Sequence, residues 1–377
     1  RIAATGPSCC LSPLEAFVVD QAYSACPEGR MWQRFSQGVD NVDLICAGAP
    51  KPVLVMAGAG DEVFRKEDVE ALAAEAQSFY RVRGAEKQFN FYLDEGGHAY
   101  SLDQARHFVE FLDQHFLPSS EKSFAQRVFP DPDTLGMNPE TELQCNPNQE
   151  VNMFTLARED AKYWARERQK RKDSIKDRVA SSASLDLACP SPIRWETTDP
   201  FRTWVHDFRS VHLCHETDIE IPITLVTPAD RSSAPLLFHL DDLGRNRLLE
   251  AGGPLTKAIR FVDRKNPTFG VMAPDLRGWG DSRPALFPYE IASWGSTARY
   301  FTYTTNALGD NLMMMRVRDA FATYQFMREF PTTADSPIIL TGCGLGGIIA
   351  TLLAPLLPDL QGLVLWETLD SFQSLLE

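Results

Sequence analysis

The 377-residue sequence has no run of 18 apolar residues, which excludes a membrane-spanning helix. It has no C-x-x-C spacing either. Its eight cysteines, at 9, 10, 26, 46, 145, 189, 214 and 343, are scattered, so neither a zinc site nor a redox dithiol is expected. Buried free thiols are the default, and one or two disulfides stay open. Basic residues are scarce, 37 Lys and Arg against 51 Asp and Glu, for a formal net charge of -14. Neither nucleic acid nor an anionic membrane is drawn to such a surface. The chain opens on "RIAATG", an apolar strand pattern with no initiator Met and no signal-peptide pattern, which leaves the compartment open.

What is present is ordinary core material: 44% hydrophobic and 23% charged residues, enough for two or three domains or one large α/β domain. Strand and helix patterns alternate over residues 1–118. "PVLVMA" (52–57) is a continuous apolar run followed by Gly58, Gly60 and Asp61, as in a buried parallel strand and its loop. Val69, Leu72, Ala73, Ala76 and Phe79 then recur at helical spacing behind an acidic first turn. "QFNFYL" (88–93) is the next strand, ending at "DEGGHAYS", and Ser101 with Gln104 predicts a capping box for a helix through Phe116.

Residues 119–200 break this pattern. A Pro- and Asn-rich loop stretch (129–149) leads into "LAREDAKYWARERQKRKDSIKDRVA", one charged helix with nine Lys or Arg against five acids between 158 and 178. A solvated connector is the expected reading. From 201 the α/β pattern restarts. "DFRSVHLCHETDIEIPITLVTP" predicts a hairpin with Ile219, Ile221, Ile223 and Leu225 alternating; "PLLFHL" and "FGVMAPD" predict buried strands; a helix is predicted over 308–328. Then come "PIIL", a glycine turn, a helix from Leu345, and "GLVLWE".

That turn, "GCGLGG", supports two readings. It fits G-x-G-x-x-G through Gly342, Gly344 and Gly347, with Glu367 placed 25 residues on to hold a ribose of a nicotinamide dinucleotide. It also fits the nucleophile elbow G-x-S-x-G with Gly344 in the serine's place, and small residues Gly342 and Gly346 where strand and helix must approach.

"APDLRGWGDS", "TGCGLGG", "PVLVMAGAGDEVF" and "DEGGHAYS" together resemble the α/β-hydrolase fold. More narrowly, "RIAATGPSCCLSPLEAF", "GVDNVDLICAGAPKPVLVMAGAGDEVF" and "GGHAYS" resemble the acetyl xylan esterase-like hydrolases, a group with tandem-domain members. The resemblance implies a mostly parallel sheet with helices on both faces. It implies a serine-type esterase of acetyl or other small acyl esters of carbohydrate, without metal or cofactor, in a secreted or periplasmic setting. Asp61 would be the acid and His98, 37 positions later, the base, with Glu62, Asp94 and Glu95 as rival acids. Oxyanion donors would be the N–H of Leu345 and one near Asp241 or Asp242. His239 reads as a satisfied core residue and Cys343 as an inert thiol.

The chain order is unusual, because acid and base precede the elbow. One permuted unit would explain it. So would the back half of one hydrolase unit (1–118), a connector (119–200) and the front half of a second (201–377). Similar strand-and-step elements at the start and the end favour the tandem arrangement. Asp61 and His98 would then serve a serine upstream of Arg1, and the second unit, glycine at its elbow, would be silent. A non-catalytic binding or scaffold protein of hydrolase ancestry is the expectation from a different class.

Overall fold

The computed structural model describes residues 2–18, 30–117, 140–143, 151–171, 173–250, 269–284 and 297–375. Most of the Pro- and Asn-rich stretch, with Cys26 and Cys145, lies outside them; its described part, Glu140–Leu143, is a single helical turn rather than loop. The six described cysteines, at 9, 10, 46, 189, 214 and 343, form no disulfide with one another, and only Cys9 and Cys343 are buried, fewer than expected. Contacts divide the chain into two units, one of Arg1–Leu143 and Leu286–Asn311, the other of Gln144–Ala285 and Leu312–Glu377.

In the first unit α1 (Asn41–Cys46), β1 (Val53–Gly58), α2 (Lys66–Val82), β2 (Phe89–Asp94) and α3 (Leu102–Phe116) follow one another. All six residues of β1 are buried, because the strand lies between two helical layers. Val53, Val55 and Ala57 pack against α1 and α2, while Leu54 and Met56 pack against Phe108 and Phe111 of α3. Burying each large apolar side chain is worth about 1.5–3 kcal/mol. The buried face of α2 carries Tyr80, whereas Phe79, expected there, is exposed. The Tyr80 hydroxyl donates to main-chain carbonyls of Ile45 (3.4 Å) and Lys51 (3.2 Å), so its polar end is satisfied inside.

β1 pairs in parallel with β2, from Val53↔Phe89 to Gly58↔Asp94. On its other edge only Thr5 and Ser8 bridge to it, opposite Val53 and Met56. The described part of "RIAATG", residues 2–6, is therefore not a full strand, and Pro7, with no N–H to give, stands between the two bridges. Ser101 caps α3 by accepting the Gln104 N–H at 3.0 Å. The return half of the expected capping box is missing. The Gln104 side chain instead accepts from Ser8 Oγ (2.5 Å) and donates toward Cys9 Sγ (3.8 Å).

The second unit begins with two helices where one was expected: α4 (Met153–Lys170) and α5 (Ile175–Ser182). The helix ends at Arg171, and Ser174 restarts it by accepting the Asp177 N–H at 3.0 Å. No residue of α4 is buried, as suits a charged solvated helix. Eight strands follow, the two-residue strand Phe201–Arg202, which pairs beside His206–His215, and seven along one path: β3 (Arg194–Thr197), β4 (His206–His215), β5 (Ile219–Pro228), β6 (Leu236–Asp241), β7 (Gly270–Pro274), β8 (Ile338–Cys343) and β9 (Leu360–Trp366). These seven lie in one sheet in the order β9-β8-β6-β7-β5-β4-β3. β9, β8, β6 and β7 are parallel; β5, β4 and β3 join antiparallel. The β4–β5 hairpin is the predicted one, with Ile221, Ile223 and Leu225 wholly buried. α6 (Leu312–Glu329) precedes β8, and α7 (Leu345–Leu353) links β8 to β9. Both pack with α5 on the face lined by Leu236, Phe238, Leu240 and Met272.

A buried ion network fastens α6 to the sheet. Asp319 accepts from His215 Nε2 (2.8 Å), from the Arg277 main-chain N–H (2.9 Å) and from Arg277 Nη2 (2.5 Å). Burial pushes its pKa up, but these donors outweigh burial and hold it below the usual carboxylate value. Asp319→Ala should cost about 3–5 kcal/mol, because the Arg277 guanidinium loses its buried partner. A depressed carboxyl pKa stabilises above the unfolded value of about 4 and ceases to as pH falls through the folded one. Urea unfolding at neutral and acid pH should therefore show the gap between wild type and Asp319→Ala narrowing toward low pH.

Candidate active site

In the first unit the site grows from one feature of the sheet. β1 and β2 are parallel neighbours with Gly58 opposite Asp94, so the loops that follow them leave the same, carboxyl end. Open α/β sheets build their sites at that end. The glycines let the two loops touch. A Cβ on Gly58 would lie 2.4 Å from the Gly97 carbonyl oxygen, and the Gly60 N–H donates to the Gly96 carbonyl at 2.9 Å.

This contact brings Asp61 and His98 together. The Asp61 side chain is 0% exposed; its Oδ2 lies 3.0 Å from His98 Nδ1, and the His98 side chain is 35% exposed. The other oxygen, Oδ1, accepts the N–H groups of Val63 (2.8 Å) and Phe64 (3.0 Å), which locks the carboxylate's orientation. The Phe64 ring stacks on the imidazole, centroids 5.7 Å apart. A carboxylate can only accept, so Nδ1 carries the proton and Nε2 keeps its lone pair. The rival acids stand elsewhere. Asp94 accepts from Ser101 Oγ and the Gly96 N–H and so shapes the loop, while Glu62 and Glu95 are exposed.

In the second unit Gly344 follows β8 and caps α7 with φ +57° and ψ -130°, a backbone that L side chains rarely adopt. The flanking glycines are required by contact. A Cβ on Gly342 would lie 2.6 Å from Gly347 Cα, and one on Gly346 only 2.2 Å from the Leu240 carbonyl oxygen. This is the strand–turn–helix geometry that an elbow demands. The space of the missing side chain is filled: a Cβ on Gly344 would meet Asp242 Oδ1 at 2.5 Å. The Asp242 carboxylate thus stands beside the start of α7, where it would repel the pyrophosphate of a dinucleotide.

The neighbours of this turn have structural work. Asp241 is buried and accepts the Leu243 N–H (2.9 Å) through Oδ1. Burial raises its pKa, yet nearby His239, that N–H and Arg247 together hold it below the carboxylate norm. Leu345 opens α7 and is exposed. His239 is a core residue but only half satisfied: Nδ1 pairs with Thr341 Oγ1 at 2.9 Å and the ring stacks on Trp366, while the buried Nε2 has no hydrogen-bond partner, 3.7 Å from Asp241 Oδ2. The Cys343 thiol is buried and donates to Glu367 Oε2 at 3.5 Å. Burial first, then the Asp241 charge and the Glu367 contact, push its pKa up to about 11. It stays a thiol at neutral pH.

Sequence reasoning missed three participants: Phe64, Asp242 as an occupant, and Cys9. One ligand atom each of Cys9, Asp61 and His98 lie within 4.8 Å of one another.

No family model matches the sequence, and no curated protein does. Among solved structures the chain is similar to a Bacteroides fragilis protein assigned as an acetyl xylan esterase, at 12% identity and TM-score 0.42 over 50% of each chain. It is also similar to acetyl xylan esterase 1 of a Thermoanaerobacterium species, at 14% identity and TM-score 0.36, covering 50% of this chain and 56% of that one. A peroxisomal α/β-hydrolase of Saccharomyces cerevisiae gives 17% identity and TM-score 0.29, covering 48% of this chain and 45% of that one. The chain spans about half the length of these structures. The fold itself is open α/β: a mixed sheet with helices, a strand–glycine turn–helix, and no closed barrel among the described residues.

The crowding at the turn is measurable. Gly344→Ser should destabilise the protein by about 1–3 kcal/mol, the usual cost of a strained backbone site. Adding Asp242→Ala should return part of the loss. Urea unfolding of the wild type, both single variants and the double variant gives the coupling, and a coupling near zero would deny the contact.

Proposed function

We propose that the protein is a serine-type carboxylic-ester hydrolase in which Asp61 and His98 form the acid–base pair. The observation that carries this reading is the buried carboxylate 3.0 Å from a ring that is still open to solvent. Asp61 holds the imidazole with its proton on Nδ1. Nε2 then takes the proton of an attacking hydroxyl as that oxygen adds to the ester carbonyl. The imidazolium, stabilised by Asp61, returns the proton to the leaving alcohol, and water, activated the same way, releases the acid from the acyl-enzyme. Gly344 has no atom that can attack, so the attacking hydroxyl belongs to a serine on another elbow. The turn at 344 is a silent copy within a tandem arrangement. The resemblance to acetyl xylan esterase-like hydrolases implies small acyl groups, acetyl first, on a carbohydrate alcohol.

A second reading, a binding or scaffold protein of hydrolase ancestry, has an observation of its own: the filled elbow at Gly344. In protein that also carries the elbow with the attacking serine, release of p-nitrophenol from p-nitrophenyl acetate separates the two. His98→Ala should lower kcat by about 10⁴- to 10⁶-fold and Asp61→Asn by about 10⁴-fold, with KM little changed. Turnover no faster than buffer, or indifferent to His98→Ala, leaves only the binding reading.

A further inference from the structure

We propose that Cys9, Asp61 and His98 form a site for a divalent cation of the zinc class, built on the same groups as the acid–base pair. The three side chains each bring one donor atom, and these atoms are all within 4.8 Å of one another. The segment at residues 5–8, β1 and β2 lie side by side, and Cys9, Asp61 and His98 follow them in turn. Spread between positions 9 and 98, the set has no spacing that a sequence motif could reveal.

Each donor is already held in place. Cys9 has φ +47°, uncommon for a residue with a side chain, and its N–H donates to the Met56 carbonyl at 3.0 Å. Its sulfur lies 3.8 Å from Gln104 Nε2, a donor that suits a thiolate, and 3.6 Å from the Ala99 carbonyl. Asp61 is fixed through Oδ1, which leaves Oδ2 to face the site. Such outer contacts orient ligands and tune a metal. Cys9 and Asp61 are buried and His98 is exposed, so the ring stands at the mouth and gives an ion its way in.

Sulfur, imidazole nitrogen and carboxylate oxygen are a zinc donor set, and three protein ligands leave one position for water. The charges close: thiolate and carboxylate balance a divalent ion, and the imidazole binds neutral. On binding, the Cys9 thiol proton goes to solvent, and the neutral ring carries its one proton on the nitrogen that does not bind the metal, which is Nε2 where Nδ1 is the ligand. An occupied site takes Asp61 and His98 from each other. Granted the hydrolase reading, the cation-bound protein is its inhibited state.

Cobalt(II), which reports its ligands in the absorption spectrum, provides the test. Metal-free, reduced protein titrated with cobalt should bind one ion per chain and show thiolate-to-metal charge transfer with tetrahedral visible bands. Zinc should displace it. Cys9→Ser and His98→Ala should each weaken binding by at least about a hundredfold, beyond what loss of an outer partner costs; Cys343→Ser should not. His98→Ala removes the exposed ligand and answers the question even should Cys9→Ser fold poorly. Absence of the charge-transfer band, or a band that survives both substitutions, overturns the site. A band without any ester hydrolysis for zinc to inhibit keeps the site and discards the hydrolase reading.

Discussion

A carboxylate with no exposure to water must be compensated where it stands, and the first unit is arranged around that requirement at Asp61. Two main-chain N–H groups take one oxygen and the imidazole of His98 takes the other. This arrangement fixes three things together. The loop after β1 is pinned by its own backbone, the loop after β2 is drawn against it, and the histidine is held in one tautomer. Gly58, where a Cβ would lie 2.4 Å from the Gly97 carbonyl oxygen, lets the loops come this close. The chemistry of the site thus follows from the cost of burying a charge.

The turn at Gly344 shows the converse. A nucleophile elbow is a strained backbone that holds a side chain out of the sheet, and the turn at 344 has that kind of backbone, φ +57° and ψ -130°, with a glycine on it. Contacts at Gly342 and Gly346 require the turn whatever stands at 344, since strand and helix meet there at backbone distance. Glycine relaxes the strain, and the Asp242 carboxylate fills the space.

Much of this could be read from the sequence, for physical reasons. β1 and β2 were legible because buried parallel strands are continuous apolar runs, and the β4–β5 hairpin because its residues alternate. Asp61 and His98 were legible as residues just past two successive strands, a position that the sheet direction makes adjacent. Local competition blurred other features. Phe79 and Tyr80 are neighbouring aromatics, and helical periodicity could not say which faces inward. The charged helix splits because Ser174 offers a cap that a charge count ignores, and Pro7 thins a strand pattern to two bridges. What the sequence could not show was contact between distant segments: Gln104 leaving its capping role for Ser8 and Cys9, Asp242 in the elbow, Cys9 beside the pair.

The central claim is that Asp61 dictates which nitrogen of His98 carries the proton. Proton–nitrogen correlation spectra of the histidine side chains in metal-free protein test it most directly. The account predicts His98 protonated at Nδ1 with Nε2 bare, and a loss of that preference in Asp61→Asn. A proton on Nε2 in the wild type, or a His98 signal that Asp61→Asn leaves unchanged, would contradict it.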